Sequence, residues 1–207
     1  MTSFQTLFVF LNSFYKGLTK GFIDIFIVPF NPNLPLPENS IDELFKLIPI
    51  LEKIKLRYFI TDGTILGLYR EDKFIRHDND IDFALIDSKK IFKLFFILIK
   101  SGWKPMRILI RNFHTYQLIF HKNKVIIDFC NWKKEGEDIK FKAPEIKGFR
   151  LQKTKFYIPT KYKLSDGREY ISHSEIKDWL KMRYGNTWHI PKTSKSDWIE
   201  ESKDIFS

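Results

Sequence analysis

Cysteine is nearly absent from this chain. Its 207 residues contain one, Cys130, which excludes an internal disulfide and a Cys-rich zinc site and reads as a small buried hydrophobe. No Asn-x-Ser/Thr sequon occurs. Also missing is any run of about 20 apolar residues, the length a spanning helix needs. Residues 4–30 are apolar, but Asn12, Lys16, Lys20 and Asp24 interrupt them. The basic residues there follow the apolar stretch, the reverse of a signal peptide. These absences point to a reducing, cytoplasmic setting. One further absence is local: residues 88–124 hold nine Lys/Arg and no acid.

What is present suffices for a core. The chain is 43% hydrophobic and 16% aromatic, enough for one folded domain and unlike a disordered chain. The net charge of +10 is uneven: residues 1–87 sum to −3 and residues 133–163 to +6. Such a field attracts polyanions, whether nucleic acid, anionic membrane or a phosphorylated substrate. No RNA-binding motif accompanies the charge, so no nucleic-acid partner is expected.

Phe4, Leu7, Phe8, Leu11, Phe14, Tyr15 and Leu18 recur at helical spacing. They predict either a helix on the domain's own core or an interfacial helix, peripheral on the inner face of a membrane. Asn31-Pro32-Asn33-Leu34-Pro35-Leu36-Pro37 is a linker, because three prolines resist helix and central strand alike. Residues 1–38 are therefore set apart as an apolar segment and linker, and residues 39–207 as one domain. Ser40-x-x-Glu43 is a capping-box signature and predicts a helix over 41–56, bent or split by Pro49. Residues 57–61 read as a strand, and Asp62 as the cap of a short helix through Arg70. Further strands are expected at 81–86, 105–111, 115–121 and 125–130, with Lys122-Asn123-Lys124 as a turn. Helices are expected at 89–100 and at 173–184, the second stopped by Gly185. The order suggests an α/β (α+β) fold, a mixed sheet flanked by helices.

The chemistry concentrates in Asp78-Asn79-Asp80-Ile81-Asp82-Phe83-Ala84-Leu85. Strand side chains alternate, so Asp78, Asp80 and Asp82 share one face while Ile81, Phe83 and Leu85 hold the other to the core. Carboxylates spaced about 7 Å apart repel unless a cation sits between them. Their oxygens are the ligands Mg²⁺ and Mn²⁺ prefer. A calcium loop is excluded: its glycine position holds Phe83 and its final glutamate position Lys89. Upstream, Asp62-Gly63-Thr64 turns a strand into a helix, a geometry with free N–H groups for an anion. Downstream, Asp128 lies inside the apolar run Val125-Ile126-Ile127-Asp128-Phe129, where it faces either a cation or solvent at a sheet edge.

Gly63-Thr64-x-Leu66-Gly67-x-x-Arg70, Phe74-Ile75 and His77-Asp78-x-Asp80-Ile81-Asp82 together resemble the LicD/fukutin family of the nucleotidyltransferase superfamily. Ile158-Pro159 and Tyr184-Gly185-Asn186-x-Trp188-x-x-Pro191 resemble that family's later signatures. The likeness runs from about residue 40 to 198. It departs at Arg76-His77, where many members have Pro-Trp, and at Asn79, where they have Asp. The resemblance implies a nucleotidyltransferase-like fold. It also implies an enzyme moving a phosphorylated alcohol, such as phosphocholine or an alditol phosphate, from a CDP-linked donor to a glycan acceptor such as lipopolysaccharide or capsule. It implies Asp80 and Asp82 as the metal pair, Asp128 as the third acid, and Gly63 and Thr64 beside the donor phosphates. Arg70 and some of the lysines in 89–124 are expected on phosphate oxygens. A base for the acceptor hydroxyl falls to Asp128, Asp62 or His77. Trp103, Tyr116 and Trp132 are the aromatics expected near the site, and the basic tract 88–124 favours a neutral alcohol over choline. The alternatives are NMP transfer from an NTP and, more remotely, a basic RNA-binding module.

Overall fold

The computed structural model describes residues 22–26, 35–142, 149–192 and 205–206. The helical pattern of residues 4–18 lies outside them. Among the described residues no helix is long and apolar enough to cross a membrane.

Leu44, Leu47, Ile48 and Leu51 follow the i, i+3, i+4, i+7 spacing and give helix α1 (Ser40–Lys53) one buried stripe. Pro49 lies inside this helix without splitting it. The expected capping box does not form. Asn39 is the N-cap without a side-chain bond, and Glu43 pairs with Lys46 at 3.0 Å instead. The first turn closes through the main chain, with the Pro37 and Asn39 carbonyls accepting from Ser40, Asp42 and Glu43. Leu36 donates its N–H to the Asp78 carbonyl at 2.8 Å, which ties the proline-rich segment to the acidic stretch.

The sheet is mixed. Strands β1 (Phe22–Phe26), β4 (Lys104–Arg111), β5 (His114–Lys122) and β6 (Val125–Glu135) run antiparallel side by side. Strand β3 (Ile81–Ile86) lies parallel to β6, and β2 (Phe59–Ile60) antiparallel to β3. The end of β6 continues into β7 (Asp138–Phe141), β8 (Phe149–Lys153) and β11 (Ile205–Phe206), giving nine strands among the described residues. A separate hairpin pairs β9 (Thr160–Lys163) with β10 (Glu169–Ser172). Asn123 and Lys124 join β5 to β6 with φ of 51° and 67°, the paired positive angles a two-residue hairpin requires.

β1 pairs with β4 from Phe22↔Arg111 to Phe26↔Arg107. The sheet thus takes up five residues of the segment set apart as 1–38. Phe22-Ile23-Asp24-Ile25-Phe26 is a short apolar run of strand length, beyond the reach of the helical repeat before it. Helix α2 (Asp62–Glu71) follows β2, and α3 (Ile91–Lys100) turns Leu94, Phe95 and Leu98 into the core. Helix α4 (Ile176–Tyr184) starts three residues later than expected and ends at Gly185, whose φ of 79° stops it. β7 to β10 escaped the sequence reading because they are short and interrupted by charged residues, β7 having two apolar residues in four, and β11 because it is only two residues long.

Candidate active site

The parallel register of β3 and β6 sets Asp82 beside Asp128. Their successors, Phe83 and Phe129, stack at 4.7 Å within the core. Burying such a ring contributes roughly 1.5–3 kcal/mol, so this pair fixes which face is apolar. Alternation then sends both carboxylates to the other face. Asp80, just ahead of β3, supplies a third, and ligand oxygens of Asp80, Asp82 and Asp128 lie within 4.8 Å of one another. Asp78 does not join them as strand alternation predicted. It belongs to a turn, donating its N–H to the Ile75 carbonyl, and its carboxylate lies against Gly63.

Burial pushes the Asp82 carboxyl well above its ordinary range, and Asp80, Asp78, Asp62 and Asp128 push it further. Asp128 is pushed up to about 8 by burial and by Asp80, against a 2.6 Å hydrogen bond from the Gln117 amide. Three carboxylates so close together are relieved by a cation between them. An all-oxygen set fits a hard divalent ion such as Mg²⁺ or Mn²⁺, so the cluster could hold a metal.

Each predicted site residue has a definite place. Gly63 lines the cavity, and a Cβ there would press on the Asp78 carboxylate and require it to shift. Thr64 is fully buried and does not line the cavity. Its Oγ1 accepts the Asp82 N–H at 2.8 Å and lies 3.3 Å from Asp82 Oδ2, while its own N–H reaches that oxygen at 3.4 Å. Arg70 lines the cavity, with Nε on Glu71 at 2.7 Å and Nη1 directed at the Trp188 carbonyl at 3.4 Å. His77 lines it too.

Asp62 is not the cap expected of it. Thr61 is the N-cap of α2, without a side-chain bond. Asp62 has a φ of 47°, and its Oδ1 receives Arg183 Nε at 2.7 Å and Arg150 Nη2 at 2.9 Å. Burial would raise this carboxyl, but the two guanidiniums outweigh it and hold the group well below the usual carboxylate range. Asp62 is therefore poorly suited to act as the base. His173 backs the turn: its Nε2 shares a 3.0 Å hydrogen bond with Thr61 Oγ1. Its ring stacks on Phe59 and Trp179, and burial brings its pKa down to about 3.

Asp62, Gly63, Arg70, His77 and the three clustered carboxylates border a cavity of about 390 Å³, the size of a small-molecule site. None of the nine Lys/Arg of residues 88–124 lines it. Among the described residues the cations that do are Arg70, Arg150, Arg183 and Lys192, three of which carried no sequence signal. Trp103, Tyr116 and Trp132 are core residues and do not line it either. Phe141, Tyr184 and Trp188 supply its aromatic faces. The closing signature explains two of these. Gly185 ends α4, turns follow through Trp188 N–H to Gly185 and Ile190 N–H to Thr187, and Trp188 comes to rest 6.1 Å from the Tyr69 ring.

A likeness to solved structures agrees with the fold. The crystal structure of the lincosamide antibiotic adenylyltransferase LnuA, with lincomycin bound, superposes with a TM-score of 0.51 at 16% identity, over 81% of this chain and 95% of that one. No curated protein matches the sequence. The family model for the LicD/FKTN/FKRP nucleotidyltransferase domain matches residues 55–166, a span that holds β2 through the β9 strand and all three clustered carboxylates. By that match the chain belongs to the LicD/FKTN/FKRP family.

Proposed function

We propose that this chain transfers a phosphorylated alcohol, of the phosphocholine or alditol phosphate type, from a CDP-activated donor to a glycan such as lipopolysaccharide or capsule. Family membership supports a group-transferring, glycan-modifying enzyme. The observation that carries the finer reading is the carboxylate cluster of Asp80, Asp82 and Asp128 on the cavity wall. Those three residues would hold Mg²⁺ or Mn²⁺. Such an ion, when bound, neutralises diphosphate charge and stabilises the leaving CMP. Thr64 orients Asp82 through its main-chain N–H, and Gln117 orients Asp128. Arg70 and Gly63 border the same space and would meet donor phosphate. Asp128, whose carboxylate the Gln117 amide fixes on the cavity wall, would accept the acceptor's proton.

The basic tract 88–124 had favoured a neutral alcohol. It contributes no cation to the cavity, whereas Tyr184 and Trp188 contribute aromatic faces. The tract thus gives no reason to choose between the alcohols: the aromatic faces attract a quaternary ammonium, and Arg70, Arg150, Arg183 and Lys192 on the same wall repel it.

The alternative is NMP transfer from an NTP to a small molecule or protein. The likeness to an adenylyltransferase over 95% of that chain favours it as the second reading. One experiment separates the two. The protein is incubated with Mg²⁺ and either CDP-choline, CDP-ribitol or CDP-glycerol plus a glycan acceptor, or NTPs plus small acceptors. Metal-dependent release of CMP, lost in Asp80→Asn, supports the proposal. Pyrophosphate release from an NTP overturns it for the alternative. Full CMP release in excess chelator removes the metal from the reading.

A further inference from the structure

We propose that the outward face of helix α3 is a docking surface for a membrane that carries anionic lipid. None of the nine cations of the tract 88–124 lines the cavity, so the proposed transfer assigns them no task. The helix near the start of that tract departs from an ordinary surface helix in two ways. First, the core takes Ile91, Leu94, Phe95 and Leu98 and leaves six residues outward. Four of those six are apolar. Phe92 and Phe96, one turn apart, are 41% and 43% exposed, and Ile97 and Ile99 are half-buried. The other two are Lys93 and Lys100, both exposed. Single exposed apolar side chains are ordinary, whereas an apolar strip along a helix marks a contact surface. Second, the charges run against the helix dipole. The N-terminus of a helix favours negative charge, yet Lys89 and Lys90 precede this one and its first turn holds no acid. An anionic surface facing these lysines offsets that cost.

Rings and aliphatic side chains interleaved with lysines match a lipid interface. The apolar groups enter the acyl boundary, while the long lysine stems carry their charges to the headgroup phosphates. No acid occurs in the chain between Asp87 and Asp128, and the Asp87 carboxylate accepts the Lys134 N–H at 3.0 Å. Single-stranded RNA would stack on the rings but gains nothing from Ile97 and Ile99. A second copy of this chain would bring the same lysines face to face. The fold also sets where the cavity lies relative to this helix. Phe95, on the buried side of α3, meets Phe120 with ring centres 5.6 Å apart. Phe120 pairs with Ile127, and Ile127 with Ile81. Asp82 and Asp128 hold the next positions along β3 and β6, so they point to the other face of the sheet. Docking through α3 therefore leaves the carboxylate face uncovered.

The test measures flotation of the full-length protein with two kinds of vesicle: phosphatidylcholine alone, and phosphatidylcholine mixed with phosphatidylglycerol. Binding should require phosphatidylglycerol and weaken as salt is raised. Phe96→Ser should weaken it about tenfold or more, the scale of one ring withdrawn from water. Lys93→Gln combined with Lys100→Gln should weaken it by about fivefold per lysine. Both variants alter exposed side chains, so their thermal unfolding should match that of the wild type. If Phe96→Ser does not fold, Phe96→Trp takes its place. Its added emission should shift to the blue and be quenched by lipid brominated along the acyl chain, and an absence of quenching overturns the proposal. No binding to the charged vesicles overturns it as well, and so does binding that both variants leave unchanged. A dimer in sedimentation that Phe96→Ser dissociates, without vesicle binding, gives the face to a second copy instead. Binding of single-stranded RNA that Phe96→Ser abolishes, again without vesicle binding, gives it to nucleic acid.

Discussion

Replacing Asp128 by Asn should make the metal-free protein more stable at alkaline pH, although it removes a site residue. In the folded chain the Asp128 carboxyl is pushed up to about 8, whereas an unfolded aspartate titrates near 3.9. Between these values the unfolded chain ionises the group while the folded chain holds its proton. The unfolded state then binds fewer protons, so stability falls as pH rises from about 4 to about 8 and stays low above. A shift of about 4 units at about 1.4 kcal/mol each amounts to roughly 6 kcal/mol at most. Counter-ions and local opening relieve part of this. If about 2–3 kcal/mol survives, a chain of this size gains about 5–10 °C in Tm. Asparagine removes the titration but keeps an oxygen for the Gln117 amide, which now bonds Asp128 Oδ2. Thermal unfolding in excess chelator is followed by near-ultraviolet circular dichroism at pH 5 and pH 9. The variant should exceed the wild type clearly at pH 9 and much less at pH 5. Millimolar Mn²⁺ should reverse the order by stabilising the wild type alone. An equal gap at both pH values would refute the electrostatic reasoning and leave a simple packing difference.

Thr64→Val deprives the Asp82 N–H of its acceptor; a loss of about 1–3 kcal/mol is expected, with Mn²⁺ affinity about tenfold weaker. Calorimetry showing unchanged Mn²⁺ affinity would reduce Thr64 to packing. Asp62→Asn leaves Arg150 and Arg183 without their shared carboxylate and should cost about 3–5 kcal/mol by urea unfolding at neutral pH. Because Asp62 is held below its unfolded range, its contribution is present above about pH 4 and is lost as pH falls, so the variant should show a flatter acid limb. Deleting residues 1–38 removes β1 and bares the edge of β4. The expected outcome is insoluble protein, whereas a clean move from membrane to soluble fractions would mark the segment as an anchor.

The acidic strand was legible because two local rules agreed on it. Ile81, Phe83 and Leu85 alternate with polar positions, and an aspartate within an apolar run needs a partner. The same rule picked out Asp128. What neither rule could supply was the parallel register that makes Asp82 and Asp128 neighbours. Between these strands lie a helix and two further strands, so their pairing is set by packing at long range. The capping box failed for a related reason. Ser40 and Glu43 have the right spacing, but a main-chain turn from Pro37 and Asn39 supplies the first acceptors and leaves the side chains other work. Local signals name candidates; competition among partners decides between them.

The cations show why charge density along the chain misled. The chain has 35 Lys/Arg, and the tract from 88 to 124 concentrates nine of them. A tract can be dense in lysine because lysine is cheap to leave in water. Such residues shape the outer field, which acts on a ligand at a distance. The cations that line the cavity obey a different requirement: they must stay charged while buried, with a fixed fork of donors. Arginine meets it better than lysine, being weakly hydrated and always protonated. Arg150 and Arg183 meet it with a shared carboxylate beneath them. They come from one strand and one helix, Arg183 lying beyond the 55–166 span matched by the family model. A count of charges along the chain therefore describes the outer field, and buried arginine on a shared carboxylate describes how the cavity wall is built.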